Sequence, residues 1–186
     1  MKRLLLLSPV ILFPYFILFA VVCIFTGFLM ESVFSNNALN LLFILLVIYI
    51  IALISSIAVF IASLVRKSDA KELLRVNMII KLIHVPAYII IFFMGLAGFI
   101  TIFTVVISLA LMILDVMTIF LTGLIGLGGV IKGFREQKLS LKSAIIHGIL
   151  QFVFCADVFS AVIVYRRVKR AFTNESTMES ETATVP

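Results

Sequence analysis

Apolar residues dominate this chain in long runs, and short polar segments separate them. A helix needs about 20 apolar residues to cross the hydrocarbon core of a bilayer. The longest run, residues 77–131, would reach about 80 Å as one helix, so it is expected to fold back near Gly95 and Gly98. The pattern predicts an all-α, polytopic integral membrane bundle of four transmembrane helices, with a fifth whose polar content leaves its crossing open. The predicted spans are residues 8–30, 39–65, 77–97, 100–131 and 143–165.

The segments between and after these runs are short and polar. Residues 66–81 and 133–142 carry basic clusters and are predicted to be cytoplasmic loops, the first with a short surface helix. Residues 171–186 are rich in Ser, Thr and Glu and are predicted to form a disordered C-terminal tail. The sequence therefore predicts a single transmembrane bundle over residues 1–170.

The composition agrees with membrane insertion and excludes two other classes of protein. Apolar residues make up 63% of the chain and the mean hydropathy is +1.29. Charged residues make up 13%, against about 25% in soluble domains. A small soluble domain could not cover so much apolar surface, and a disordered chain would need low hydrophobicity and high charge. The chain is therefore predicted to be an integral membrane protein.

The net charge of +6 points to lipid and not to nucleic acid. All 15 lysines and arginines fall in four clusters that bracket the apolar runs. Basic clusters in such positions set topology and contact the anionic headgroups of the cytoplasmic leaflet. We therefore expect anionic lipid headgroups at the basic loops and no nucleic-acid partner.

The same clusters predict the orientation in the cell membrane. With five spans and a cytoplasmic N-terminus, eleven basic residues lie inside and the four of residues 166–170 lie outside. If residues 143–165 instead lay in the interface or re-entered, all 15 would be inside. About a dozen apolar residues favour insertion of that segment, and His147, Gln151 and Asp157 oppose it by a similar amount. Length favours the crossing, so the tail is predicted to be outside.

Four ionisable side chains lie within the apolar segments, and they are the candidate functional residues. They are His84, Asp115, His147 and Asp157, with the amide of Gln151 beside the last two. Such groups are costly in a membrane and mark functional sites by default. From the helical rise of 1.5 Å per residue, the two aspartates are predicted to share one layer and the two histidines another layer, nearer the cytoplasm.

Two interpretations of these residues stay open. They are either hydrogen-bonded structural contacts between helices, or parts of a proton or cation pathway. The two layers are too far apart to share one metal ion, so no metal site is predicted. No catalytic or cofactor motif is present. The glycines of residues 123–129 lack the lysine of a phosphate-binding loop, and they favour close helix packing instead. Cys23 and Cys155 are expected to be buried apolar side chains.

These observations favour a non-enzymatic accessory, assembly or protective membrane subunit. Such a protein would act by helix packing, against another membrane protein or a second copy of itself. The alternative is a small proton- or ion-coupled transporter or channel-like protein that uses the aspartates and histidines. An intramembrane enzyme is the third and least supported hypothesis.

Overall fold

The protein is all-helical, which confirms the predicted fold class. The computed structural model describes residues 6–27, 31–32, 34–35, 37–65, 69–100 and 104–182, with side chains up to residue 177. The described residues form no strand and fold into α1 (Ser8–Thr26), α2 (Ala38–Val65), α3 (Ala70–Gly98), α4 (Val105–Arg135), α5 (Leu141–Leu150) and α6 (Ala156–Thr182). Predictions for residues 1–5, 28–30, 33, 36, 66–68, 101–103 and 183–186 lie outside the described residues.

Helices α1 to α4 are long and apolar enough to cross a membrane, which makes this a small multi-pass membrane protein. They contain 19, 28, 29 and 31 residues, and they correspond to the four predicted spans. Many of their large apolar side chains are exposed on the protein surface, as lipid contact requires. Helix α3 begins at Ala70, earlier than the predicted residue 77, and so includes residues 70–75 of the predicted surface helix.

The predicted fifth membrane helix over residues 143–165 is wrong as a single helix. The chain instead forms the short helix α5, a break at residues 151–155, and then α6. Helix α5 has 10 residues and a length of about 15 Å, half of a hydrocarbon core. The two helices pack together in antiparallel order, since Arg167 donates to the Ser143 hydroxyl and His147 contacts Ser160. We call this pair the α5–α6 hairpin.

The predicted disordered tail is also corrected, because α6 continues as far as Thr182. Side-chain contacts hold its first half to the loop after α4. Lys138 forms an ion pair with Glu175 and lies 4.9 Å from the centre of the Phe172 ring. Residues 171–182 are therefore an extension of the hairpin.

The chain divides into two compact units, where the sequence predicts one bundle. Unit 1 comprises residues 1–57 and 83–121, and unit 2 comprises residues 58–82 and 122–186. Unit 1 contains an apolar cluster in which Ala20 and Cys23 of α1 pack with Leu41 and Leu45 of α2.

Unit 2 has its own apolar core, which joins the hairpin to α3 and α4. The core consists of Ala70, Leu74, Val130, Leu139, Val164 and Val168. Gly129 of α4 allows the close approach of Leu74, since a Cβ there would lie 2.8 Å from a Leu74 methyl group. Every lysine and arginine of the chain except Lys2 and Arg3 belongs to the residues of unit 2.

Helix α4 ends in a Schellman motif that turns the chain toward α5. The Lys138 N–H donates to the Gly133 carbonyl at 2.9 Å, and the Gln137 N–H donates to the Phe134 carbonyl at 3.0 Å. Gln137 has φ +58°, a left-handed conformation that favours glycine.

We expect Gln137→Gly to stabilise the protein by about 1 kcal/mol, because it removes the steric cost of the left-handed conformation. For a chain of this size that is a rise in Tm of about 3 °C. Thermal unfolding in detergent measures it. The control, Arg170→Gly, lies in the interior of α6 and should lower stability by up to about 1 kcal/mol. A fall in Tm for Gln137→Gly would contradict the role given to the turn.

Candidate functional site

A buried ion pair lies at the centre of unit 2. The Lys81 ammonium of α3 donates to Asp157 Oδ2 of α6 at 2.7 Å, and both side chains have 0% exposure. An isolated charge in such a place would be strongly destabilising, so each ion depends on the other. The sequence predicts Asp157 as a site residue but places Lys81 in a loop, and the loop is wrong because Lys81 lies inside α3.

The break between α5 and α6 places two helix ends against this ion pair. Gln151 caps the C-terminus of α5, where carbonyl groups lack helical partners, and its backbone carbonyl accepts from Lys81 at 3.2 Å. A cation is favourable at this end of a helix. Asp157 lies in the first turn of α6, where the helix dipole favours an anion. The broken helix and the ion pair therefore stabilise each other.

Amide and hydroxyl groups extend the ion pair into a larger cluster. Asn77, one turn before Lys81 on α3, donates to Gln151 Oε1 at 3.1 Å. The Gln151 amide donates to the Ser160 hydroxyl at 3.4 Å, and His147 Nδ1 lies 3.0 Å from the same hydroxyl. All of these residues are buried. We call the following set the polar cluster: Asn77, Lys81, His147, Gln151, Asp157 and Ser160.

Gly126 of α4 gives the polar cluster its space. A Cβ at this position would lie 2.2 Å from Gln151 Oε1 and 2.8 Å from Asn77 Nδ2. A glycine is therefore needed where α4 passes the Asn77–Gln151 hydrogen bond. The glycine-rich segment was predicted to serve helix packing, and at this residue it admits two polar side chains.

Two buried acceptor atoms in the polar cluster remain without a hydrogen bond. Asn77 Oδ1 and Asp157 Oδ1 accept none from the described part of the chain. Unsatisfied buried acceptors are costly and are uncommon in folded proteins. They are the feature of the polar cluster that helix packing alone does not explain.

The candidate residues of each predicted layer belong to different compact units, so the layers stay a prediction. Asp157 and His147 belong to unit 2, together with Gln151, while Asp115 and His84 belong to residues of unit 1. The ion-pair partner of Asp157 is Lys81, which the sequence analysis does not include among the candidate residues. The predicted depth of Asp157 assumes that residues 143–165 form one straight helix, and the break at residues 151–155 removes that assumption.

The candidate residues of unit 1 make contacts of their own. His84 is fully buried, its Nε2 lies 3.2 Å from the Ile11 carbonyl, and its ring packs edge-on against Tyr88 at 5.7 Å. Tyr15 donates to the Ile83 carbonyl at 2.5 Å, which joins the same two helices. Asp115 is half-buried on α4.

Asn77, Lys81 and Ser160 are the members of the polar cluster that the sequence analysis missed. The spacing of Asn77 and Lys81 was a usable signal, because two polar residues four apart inside an apolar run share one helix face.

Cys155 also differs from its prediction: it is exposed, at φ +61°, in the break before α6. Among the described residues, no three His, Cys, Asp or Glu side chains converge as ligands for a metal ion.

The comparisons with known proteins place the chain in a family. A family model matches residues 2–170, which includes all four long helices and the whole polar cluster. The chain belongs to DUF6652. This is a family of unknown function, so membership in DUF6652 assigns no activity to the polar cluster. No curated protein and no solved structure matched the chain.

Proposed function

We propose that this DUF6652 protein is a non-enzymatic accessory, assembly or protective subunit of the cell membrane. In this proposal the polar cluster fixes the α5–α6 hairpin to the membrane helices, and the hairpin presents a basic surface at the cytoplasmic face. The supporting observation is the complete burial of Lys81 and Asp157 in a direct ion pair. A pair in that state joins helices without exposing either charge to a solute.

The orientation we propose has a cytoplasmic N-terminus and a re-entrant hairpin. Four crossings bring the end of α4 to the cytoplasmic side, and the hairpin returns residues 166–170 to that side. The 14 basic residues other than the buried Lys81 then lie at or near the cytoplasmic face, in better agreement with the positive-inside rule than the five-span arrangement. The partners we propose are anionic lipid headgroups at the basic loops, together with another membrane protein or a second copy of this chain.

We expect the sequence Asn174-Glu175-Ser176 to stay unmodified when the chain is expressed in a glycosylating membrane system. Only a lumenal tail would be accessible to the modifying enzyme, and the return of the hairpin keeps the tail cytoplasmic. The positive control is a sequon inserted, with spacer residues, between Asn37 and Ala38, in the segment predicted to be external. Modification of Asn174 would support a fifth crossing and contradict the proposed orientation.

A proton- or ion-coupled transporter is the second candidate. The unsatisfied oxygens of Asn77 and Asp157 favour it, because acceptors of that kind could receive a hydronium ion or a water molecule. In that case opening of the ion pair would be part of the transport cycle.

Proton flux into proteoliposomes distinguishes the two candidates. The test compares the natural protein with Lys81→Met/Asp157→Met under an imposed pH gradient. The packing role predicts the same flux as empty vesicles for both proteins. A flux carried by the natural protein and lost in the double variant would replace the packing role with transport.

A further inference from the structure

An apolar groove in unit 2 runs between α4 and α5, and the polar cluster does not use it. It has a volume of about 330 Å³, near the lower limit of small-molecule sites at about 300 Å³. Its lining includes Leu127, Val130 and Phe134 of α4 and Leu141, Ile145 and Gly148 of α5. They recur every three or four residues on both helices, so one stripe of each helix faces the groove.

The shape of the groove suits a hydrocarbon chain. Gly148 lets α5 approach α4 closely along the groove, since a Cβ there would lie 3.3 Å from a Leu127 methyl group. From residue 127 to residue 134, α4 rises about 10 Å. A groove of that length, lined by aliphatic side chains and one phenylalanine, can hold part of an acyl chain but offers nothing to a polar solute.

A basic residue, Lys142, is the sequence neighbour of Leu141, which lines the groove. Lys142 follows Leu141 in the first turn of α5 and is exposed. The acidic residues of the neighbouring segments are engaged elsewhere: Glu136 accepts from the Ala70 N–H at 3.0 Å, and Glu175 pairs with Lys138. Among the residues whose side chains the structure describes, no carboxylate pairs with Lys142, so its charge is available to a partner from outside the chain.

We propose that this groove is a binding site for one anionic phospholipid of the bilayer. One acyl chain lies along the groove, and the phosphate contacts the Lys142 ammonium. The charge selects the headgroup, and the aliphatic lining retains the chain. The site is separate from the polar cluster, so the proposal does not depend on whether that cluster has a transport role. Only the assignment of the lipid to the cytoplasmic leaflet rests on the proposed orientation.

Native mass spectrometry of the full chain in a neutral detergent tests the site. The probes are phosphatidylglycerol and phosphatidylcholine with identical acyl chains, titrated separately. We expect tighter binding of phosphatidylglycerol, and we expect Lys142→Gln to weaken it about fivefold while leaving phosphatidylcholine unchanged. Lys169→Gln is the matched control, because it removes one exposed positive charge from α6, outside the groove. Gly148→Leu fills the groove and should abolish retention of both lipids.

Three results would overturn the proposal. Equal binding of the two lipids would show a groove that does not select the headgroup. Equal losses for Lys142→Gln and Lys169→Gln would show diffuse attraction to the basic surface. A lipid-free dimer that Gly148→Leu abolishes would assign the groove to a second copy of the chain. The surface position of Lys142 keeps the test valid if Gly148→Leu fails to fold.

Discussion

Asp157→Asn should destabilise the protein by about 3–5 kcal/mol, the largest effect expected of a single substitution here. The substitution leaves the Lys81 ammonium buried with no counter-ion, next to a neutral amide. It also removes the anion from the first turn of α6. The free energy of unfolding, from SDS titration followed by circular dichroism, measures the effect.

Two further variants identify the cause of that loss. Asp69→Asn is the matched control, because Asp69 is exposed immediately before α3, where asparagine caps a helix as well as aspartate does. Lys81→Met/Asp157→Met removes both charges and should be less destabilised than either single variant, since apolar pairs replace buried ion pairs at low cost. An Asp157→Asn protein as stable as Asp69→Asn would show that the pair does not hold the hairpin.

Gly126→Ala should destabilise the protein by about 1–3 kcal/mol, although alanine is the better helix former. The new methyl group would overlap the Gln151 side chain, and the displacement would break its hydrogen bond with Asn77. Both amides would then remain buried without their partner. The same unfolding measurement applies.

Gly95→Ala is the internal control for this effect. It lies in α3, and a Cβ there would meet nothing within 4 Å. Only the gain in helix propensity remains, so this variant should be unchanged or more stable by up to about 1 kcal/mol. Equal effects at Gly95 and Gly126 would contradict the close approach of α4 to the polar cluster.

The four long helices could be predicted from the sequence because bilayer thickness and helical rise fix the length of an apolar run. The break at residues 151–155 could not. Its residues, Gln151-Phe-Val-Phe-Cys155, include neither Gly nor Pro, and Cys155 adopts a left-handed conformation that its side chain disfavours. The break depends on tertiary contacts, chiefly the Lys81 ammonium at the Gln151 carbonyl.

The ion pair could not be predicted by grouping basic residues into clusters along the sequence. Lys81 is close in sequence to Lys71 and Arg75, so it was assigned to a basic loop, although an apolar run surrounds it. Lys71 is exposed and Lys81 is buried, although both lie on α3. What distinguishes them is the contact of Lys81 with Asp157 of α6, which the sequence does not show. The positive cluster at residues 166–170 favours a returning segment that length alone opposes, and the antiparallel packing of α5 and α6 agrees with a return of the chain.

The central claim is that α5 and α6 form a hairpin that returns to the end of α4. A chemical cross-link tests it most directly, with Lys138→Cys/Glu175→Cys in a chain whose native cysteines are replaced by Cys23→Ala and Cys155→Gly. Because Lys138 and Glu175 pair in the structure, a short bismaleimide added to membranes should join the two new cysteines within one chain. Mass spectrometry of the digested protein identifies the joined peptides. A fifth crossing would place the two positions on opposite sides of the bilayer, so the absence of this cross-link, with both cysteines shown to be reactive, would contradict the account.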